Sequence, residues 1–320
     1  MKKLDGLSWS PMWVSRLGCI KGCLDYLGIE MSDDWLFGGT GHAFVINVHE
    51  KVCPSGPTAW VTGPMSGLAV NLGYEQDGVF SARSGPGFGE AASKAWAFAR
   101  ESIDAGIPVY GWELAIPEFY VIYGYDETGY YFAGPMSDQG PMPKPWEHLG
   151  RSGIGVVELC SVRGTGRTDD VGAVRSALEF ALRHAEGPKD WIFPGYASGL
   201  AGYDLWISAL EEGTAGGHGM AYNTAVWHEC REHAAGFLRE AAARLGGAHG
   251  GILRETAVRY SEVAGLLGEV ETLYPMRGMD PGHIEDAGRR RRAAALLSDA
   301  RRAEGEGLAG LAGIVEALQG

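Results

Sequence analysis

Three residues in the first half of the chain carry side chains that together could perform nucleophilic chemistry: Cys19, His42 and Glu118. Catalysis by a thiol requires a base within hydrogen-bond reach and a third group that orients this base. His42 follows the glycine-rich turn 38–41, and Glu118 begins an apolar segment. A carboxylate at the start of a buried strand is costly unless it is paired or lines a pocket. We therefore hypothesise that Cys19 is the nucleophile, His42 the base and Glu118 the orienting group.

The cysteines of this region also fit a simple packing role. Cys19 and Cys23 are four residues apart, so both lie on the apolar face of one helix. Free cysteine is among the most buried residue types, and a position inside a helix lacks the field of the helix N-terminus that lowers a thiol pKa. Core packing of the cysteines, and a structural hydrogen bond of His42, are therefore open alternatives to catalysis.

The segments that must position these side chains have recognisable secondary-structure patterns. Ser10-Pro11 is typical of a helix start and Gly28 of a helix end, so the apolar spacing between them predicts a helix over residues 11–27. Further elements are a helix over residues 89–105 and strands over residues 42–48, 59–61, 107–112, 118–125, 130–132 and 155–160. We predict an α+β domain, an N-terminal helix with an antiparallel sheet.

The composition changes after Arg163, where Gly164-Thr165-Gly166 has the character of a linker. Helical patterns follow, over residues 168–182, 199–210, 220–245, 253–273, 283–303 and 308–318. We predict an α+β domain at residues 1–163 and an all-α helical domain at residues 164–320. The Gly- and Ala-rich segment 308–318 permits close helix packing, so a homo-oligomer is one hypothesis for the second domain.

Charge and composition exclude several classes of partner. The net charge is −13, and a chain without a basic face binds neither nucleic acid nor anionic membranes well. The cluster of four arginines, Arg289–Arg292, is typical of the solvent-exposed face of a helix. No stretch approaches the roughly 18 apolar residues of a membrane span.

The cysteines and the N-terminal residues bear on the cellular compartment. Five cysteines, an odd number, do not suggest a disulfide framework, and no apolar run of the kind found in a signal peptide follows the first lysines. We therefore expect a cytoplasmic protein.

Metal and cofactor sites are not expected. His228 and His233 are five residues apart, whereas the helical zinc-protease motif places its histidines four apart on one face. Cys230 and His233 could face together, but two ligands do not make a metal site. The segment 85–89 does not match the dinucleotide fingerprint. We therefore predict no metal and no cofactor.

Several motifs of the first half resemble a known family. The segments are Gly106-Ile107-Pro108-Val109, then Glu118-Phe119-Tyr120-Val121-Ile122-Tyr123-Gly124-Tyr125-Asp126, then Gly129-Tyr130-Tyr131-Phe132-Ala133-Gly134-Pro135. They resemble the core of papain-like cysteine peptidases that process bacteriocin leaders, and of the related butirosin-biosynthesis protein H acyltransferases. Tyr26-Leu27-Gly28, followed by the loop 35–41, is similar to the start of those domains. The resemblance implies a papain-like N-terminal domain.

The resemblance also assigns positions to the family's catalytic residues. Its histidine falls on Glu118, its aspartate on Gly134, and its nucleophile on Ser15, which is 13 residues before Gly28. Ser15 therefore joins Cys19, His42 and Glu118 as a candidate catalytic residue. Trp112, Tyr120, Gly39 and Gly41 are the candidate substrate-binding residues.

Two functional hypotheses follow from the resemblance. One is an atypical or degenerate papain-like acyltransferase or amide hydrolase, whose substrate is an acyl group on a small molecule, a peptide or a carrier-protein thioester. The alternative is a non-catalytic protein that binds a small molecule or peptide in the papain-like cleft, with aromatic residues such as Trp112 and Tyr120 beside Glu118.

Overall fold

The computed structural model describes residues 1–247 and 249–319, which form a mixed α/β protein with an antiparallel sheet and a helical C-terminal region. The helices are α1 (Ser15–Tyr26), α2 (Asp33–Gly39), α3 (Gly63–Ser66), α4 (Phe88–Asp104), α5 (Asp170–Ala185), α6 (Gly199–Glu211), α7 (Gly217–Leu245), α8 (His249–Leu273) and α9 (Ala287–Gln319). The strands are β1 (Lys2–Lys3), β2 (Asn47–His49), β3 (Tyr74–Ala82), β4 (Val109–Trp112), β5 (Phe119–Tyr125), β6 (Gly129–Ala133), β7 (Lys144–Pro145), β8 (Val156–Gly164) and β9 (Tyr196–Ser198).

The chain divides into two compact units that do not follow one sequential boundary. Unit 1 consists of residues 1–32 and 73–167, and unit 2 of residues 33–72 and 168–320. The chain passes from one unit to the other three times, and the boundary predicted from composition, at residue 163, lies near the third passage, after residue 167. Segment 33–72, however, clusters with the helices, because its side chains pack there: a Cβ atom on Gly38 would lie 1.9 Å from the ring of Phe237. Composition alone does not reveal such long-range packing.

Unit 1 is built on an antiparallel sheet, as the strand patterns predicted. Its order is β3-β8-β4-β5-β6-β7, and the short β1 also pairs with β5. The hairpin of β5 and β6 is confirmed, although its register shifts at a bulge between Ile122 and Gly124. β3 was not predicted, because its middle residues are polar or glycine. It occupies the edge of the sheet, where charged residues are tolerated, and pairs with β8 over its whole length.

The first helix begins at Ser15, four residues later than predicted. The segment before it does not continue the helix but runs against it, and Ser10 donates its N–H to the carbonyl of Gly18 at 3.1 Å. A Cβ atom on Gly18 would lie 2.2 Å from the Ser10 carbonyl oxygen, and one on Gly22 would lie 1.9 Å from that of Ser8. These two glycines let the incoming chain cross α1. The helix ends before Gly28, which has φ +70°, as predicted.

Unit 2 consists mainly of helices, in which α7 packs on α8 and α8 on α9. The predicted strand 42–48 is instead a 3₁₀ turn over His42–Phe44 followed by β2, which pairs with β9. Most of the predicted helices 283–303 and 308–318 forms one continuous helix, α9, which begins only at Ala287. Residues 283–285 belong instead to a 3₁₀ helix over Pro281–Glu285. The predicted strand 59–61 is reduced to a single bridge between Trp60 and Ile192. Among the helices of the described residues, none has the length and apolar character needed to cross a bilayer.

Candidate active site around Ser15 and Glu118

Ser15 and Glu118 are hydrogen-bonded to each other although 103 residues separate them. The Ser15 hydroxyl donates to the Oε2 atom of Glu118, and it accepts a bond of 3.1 Å from the backbone N–H of Phe119. Both residues are largely buried, with exposed fractions of 3% for Ser15 and 9% for Glu118. The two positions to which the predicted resemblance assigns a nucleophile and a base therefore meet in unit 1, as a hydroxyl and a carboxylate.

The end of the β4–β5 hairpin positions Glu118. Trp112 pairs with Phe119 in the ladder, and one step further the N–H of Glu113 donates to the carbonyl of Glu118 at 2.8 Å. The N–H of Glu118 donates to the carbonyl of Ile116 at 2.7 Å. Since both backbone groups of Glu118 are bonded within this short loop, its carboxylate is held at a fixed point beside α1.

The start of α1 positions Ser15, the first residue of that helix. Val14 precedes it and supplies no side-chain cap. The first N–H groups of a helix lack partners within the helix and carry a partial positive charge, so a carboxylate beside them is stabilised. The Glu118 carboxylate, bonded to Ser15, lies at this helix end. The same field would stabilise negative charge that develops on the Ser15 oxygen.

Arg16 adds a second charge beside the pair. It is buried, lies 3.4 Å from a carboxylate oxygen of Glu158, and its guanidinium stands 5.5 Å from the centre of the Phe119 ring. A buried cation next to an ion-pair partner stays charged. The guanidinium therefore helps to fix β5 against the first turn of α1.

Cys19 has the surroundings of a packed core residue. It is fully buried one turn beyond Ser15, and burial, aided by Cys23 and Glu118, raises the pKa of its thiol well above 9 despite the opposing effect of Arg16. The thiolate is the nucleophilic form of cysteine, so this environment works against its formation. Cys23 is equally buried, and burial raises the pKa of its thiol too.

His42 belongs to unit 2, whereas Ser15, Cys19 and Glu118 belong to unit 1. It begins the 3₁₀ turn after Gly41, is only 4% exposed, and its Nδ1 atom lies 3.2 Å from the sulfur of Met65. Its ring centre lies 6.5 Å from that of Trp60. Within its unit, His42 thus contacts apolar and aromatic groups.

The candidate substrate-binding glycines have packing explanations in unit 2. A Cβ atom on Gly39 would lie 2.4 Å from a methyl group of Leu72. Gly41 has φ +75°, a left-handed conformation that glycine adopts readily, and a Cβ atom there would lie 2.4 Å from the ring of Phe180. Close packing and backbone conformation therefore account for both glycines.

The ring of Tyr120 occupies the space that a side chain at position 134 would need, the position to which the resemblance assigns an aspartate. A Cβ atom on Gly134 would lie 2.6 Å from the Tyr120 ring, so a side chain does not fit there. The Tyr120 hydroxyl donates to the carbonyl of Pro135 at 2.9 Å and accepts from the N–H of Ile116 at 3.0 Å. Tyr120 is fully buried and ties the loop before Glu118 to the loop after β6. Its contacts support a positioning role.

Trp112 brings an unused hydrogen-bond donor to this region. It is 7% exposed, and its ring centre lies 4.9 Å from that of Phe119. Within the described residues, its indole N–H has no hydrogen-bond partner. A buried donor without a partner costs free energy, which a bound acceptor would recover.

Sequence reasoning missed a cavity of about 370 Å³ in unit 1. Its polar lining consists of Glu113, Lys144, His148, Arg151 and Ser152. Glu113 has φ +61°, a conformation that is uncommon outside glycine and often marks functional sites. Its spacing of five residues from Glu118, with Pro117 between them, is the only sequence signal we find. The other polar lining residues lie between residues 144 and 152, in and after the two-residue strand β7, where no pattern predicts an element.

Two histidines of α7, His228 and His233, have carboxylate partners in unit 2. The Nδ1 atom of His228 lies 2.6 Å from Glu271, and that of His233 lies 2.7 Å from Asp34. Cys230, between them, is buried. In the part of the chain that the structure describes, no group of three or more potential ligands could hold a metal ion.

No protein-family model matches this chain, and no curated protein matches it. The papain-like resemblance therefore stays a prediction that depends on the motifs named above. What the site can do chemically follows from its own geometry. A hydroxyl at a helix N-terminus, hydrogen-bonded to a carboxylate, has two of the parts that nucleophilic acyl transfer needs.

Proposed function

We propose that the protein is an atypical acyl hydrolase or acyltransferase in which Ser15 is the nucleophile and Glu118 the general base. The observation that carries this proposal is the hydrogen bond from the Ser15 hydroxyl to the Glu118 carboxylate at the N-terminus of α1. The bond runs in the direction that base catalysis requires, with the nucleophile as donor. Cys19 has no role in this chemistry because its thiol is buried and hard to ionise.

The reaction proceeds in two steps. In the first, the Ser15 oxygen attacks the acyl carbon, Glu118 takes the hydroxyl proton, and the leaving group departs with that proton. In the second, Glu118 deprotonates water or an acceptor hydroxyl or amine, which attacks the acyl-serine. Glu118 then returns this proton to the Ser15 oxygen as the acyl product is released. The partial positive charge of the helix end stabilises the negative charge that builds up at the reacting centre.

The substrate class follows from the resemblance and from the buried site. It is an acyl group carried by a small molecule, a peptide or a carrier-protein thioester. The N–H of Trp112, which has no partner among the described residues, is a donor for a substrate oxygen. Phe119 already directs its N–H to Ser15 and so fixes the nucleophile.

A serine-directed fluorophosphonate probe tests the proposal. We expect one covalent adduct on the wild-type protein, mapped to Ser15 by peptide mass spectrometry. Ser15→Ala removes the adduct, and Glu118→Gln slows its formation by roughly 10²- to 10⁴-fold, the usual contribution of a general base. Ser93→Ala is the matched control, since that hydroxyl lies exposed on α4 and bonds only to the carbonyl of Glu90. An unlabelled Ser15 in folded protein contradicts the proposal.

A second candidate function is a non-catalytic binding protein. Its supporting observation is that Ser15 is nearly fully buried and that its hydroxyl both donates and accepts a hydrogen bond, as in a structural pair. Under this function, the probe labels no serine. Substitution of Trp112 by Phe then weakens ligand binding because the unsatisfied N–H is lost, while Ser15→Ala lowers the free energy of unfolding.

A further inference from the structure

The cavity in unit 1 has an uneven charge distribution. Lys144 and Arg151 supply two cations, and Glu113 supplies one carboxylate. The Oε2 atom of Glu113 already accepts a hydrogen bond of 2.6 Å from the hydroxyl of Ser152. Among the described residues, neither Lys144 nor Arg151 forms a salt bridge. The cavity therefore has an excess of positive charge in a chain whose net charge is −13.

Lys144 is only partly accessible to water. Burial lowers the pKa of its ammonium group, and the nearby Glu113 carboxylate opposes this effect. A partly desolvated cation gains more from an anionic partner than an exposed one does, because the interaction is less screened. This argues against Lys144 as an ordinary surface lysine.

The wall of the cavity is held in place by backbone and side-chain contacts. Glu113 keeps a left-handed conformation, with φ +61°, and its backbone is bonded to Glu118. Arg83 donates to the carbonyl of Ser152, and Arg151 donates its N–H to the carbonyl of His148 at 3.2 Å. A strained residue persists where its surroundings fix it, which is common in ligand sites.

We propose that this cavity binds the oxyanion group, a carboxylate or a phosphate, of a small molecule. Lys144 and Arg151 are the ligating cations, and the volume of about 370 Å³ suits a small metabolite or an acyl chain end. The hydrogen bond between Glu113 and Glu118 places the cavity wall next to the Ser15–Glu118 pair. In a step that rests on the proposed function, the oxyanion belongs to the molecule whose acyl carbon reaches Ser15.

Isothermal titration of the full chain with sodium phosphate and with sodium acetate, at constant ionic strength, tests this proposal. We expect saturable binding of one or both anions, and the preferred one identifies the ligand group. Lys144→Gln weakens binding by roughly tenfold, the loss of one charge-assisted hydrogen bond. Lys144→Arg retains the charge and most of the affinity.

Lys94→Gln is the charge-matched control, because Lys94 lies exposed on α4 in an ion pair with Glu90. The proposal is overturned if neither anion binds saturably at concentrations that fill a site of about 1 mM affinity, or if Lys94→Gln loses as much affinity as Lys144→Gln. The test is independent of catalysis. If only the proposed function fails, the wild-type protein binds the anion but the fluorophosphonate does not label Ser15. If only the anion site fails, Ser15 is labelled but neither anion binds saturably.

Discussion

Ser15 and Glu118 form a buried hydrogen-bonded pair at the start of α1, where the backbone N–H of Phe119 also holds the hydroxyl. The alignment of motifs put a hydroxyl and a carboxylate where a thiol and an imidazole were expected, and the structure brings these two side chains together. Their partner Phe119 and the cavity residue Glu113 were not predicted, because backbone hydrogen bonds and a positive φ leave no pattern in residue types. Cys19 drew attention by its chemistry, but its full burial agrees with the packing role that its place on the apolar face of the helix suggested.

Alkylation of the thiols tests the environment of Cys19. We expect iodoacetamide to modify Cys53, which is half-buried, in the native protein, and Cys19 only after unfolding, because burial both shields its sulfur and raises its pKa. Peptide mass spectrometry before and after addition of urea measures this order. Modification of Cys19 in the native state, at a rate similar to that of Cys53, would restore it as a candidate nucleophile.

His184 predicts a pH dependence of stability. It is 1% exposed, and burial, together with the charge of Arg231, lowers its pKa from 6.5 to about 3. Between these values the unfolded chain binds the proton that the folded protein excludes, so the free energy of unfolding falls as the pH drops, by about 1.4 kcal/mol per pH unit at most. We expect His184→Leu to reduce this slope in urea titrations between pH 4 and 7.

His228 supplies the control of opposite sign. Its hydrogen bond to Glu271 raises its pKa, so its contribution to stability is complete below pH 6.5 and is lost as the pH rises through the raised value. His228→Gln should therefore cost more stability at pH 5 than at pH 9.

The contrary outcome for His184 is an unchanged pH dependence of the free energy of unfolding in His184→Leu. That result would show that the His184 side chain is hydrated or protonated in the folded state.

At the scale of elements, patterns predicted most of the sheet but not the start of α1. Alternation and turn residues identify β4, β5, β6 and β8, because these strands have strong local signals. The start of α1 was misplaced because Ser10-Pro11 has the chemistry of a helix cap, yet the chain there crosses Gly18 and Gly22. Such a crossing depends on tertiary contact, which outweighs local preference.

The crossing predicts an unusual effect of alanine in a helix. Alanine normally favours a helix over glycine by about 1 kcal/mol. In α1, Gly18→Ala places a methyl group 2.2 Å from the Ser10 carbonyl oxygen, so we expect a loss of about 1–3 kcal/mol instead, as for an overpacked core. Chemical denaturation measures the change.

Gly265→Ala is the matched control, since Gly265 lies in α8 and a methyl group added there would have no atom within 4 Å outside its own helix turn. We expect this substitution to stabilise the protein slightly. If Gly18→Ala behaves in the same way, the segment 8–10 does not pack against α1 as described.

At the scale of the molecule, Arg231 joins three distant parts of unit 2. It is fully buried on α7, forms an ion pair with Glu304 on α9 at 2.8 Å, and donates to the carbonyls of Ala43 and Val45, each also at 2.8 Å. Nothing in the sequence near Arg231 indicates these partners. The predicted boundary at residue 163 reflects a change in composition. The compact units instead reflect long-range hydrogen bonds and ion pairs such as those of Arg231.

Loss of Arg231 should destabilise the protein strongly. Arg231→Met removes the cation that pairs with the buried Glu304 carboxylate, which then keeps only the hydrogen bond from Tyr203, and it removes the donor of two carbonyls. We therefore expect a decrease of about 3–5 kcal/mol in the free energy of unfolding. Arg231→Met combined with Glu304→Leu should recover part of the loss. Arg259→Met is the control, because its ion pairs with Glu262 and Glu306 are exposed and worth at most about 1 kcal/mol. Equal effects of both arginines would contradict a structural role for Arg231.

The division of the chain into non-sequential units has a consequence for its synthesis. Residues 33–72 leave the ribosome early, but their partners Arg231 and Phe237 are made much later. A nascent chain grows at about 5–20 residues per second, so this apolar segment waits on the order of ten seconds for its partners. Unit 1 has all of its residues once position 167 is made. We therefore expect unit 1 to complete its contacts first, and we expect residues 33–72 to need chaperone protection while their helical partners are still being made.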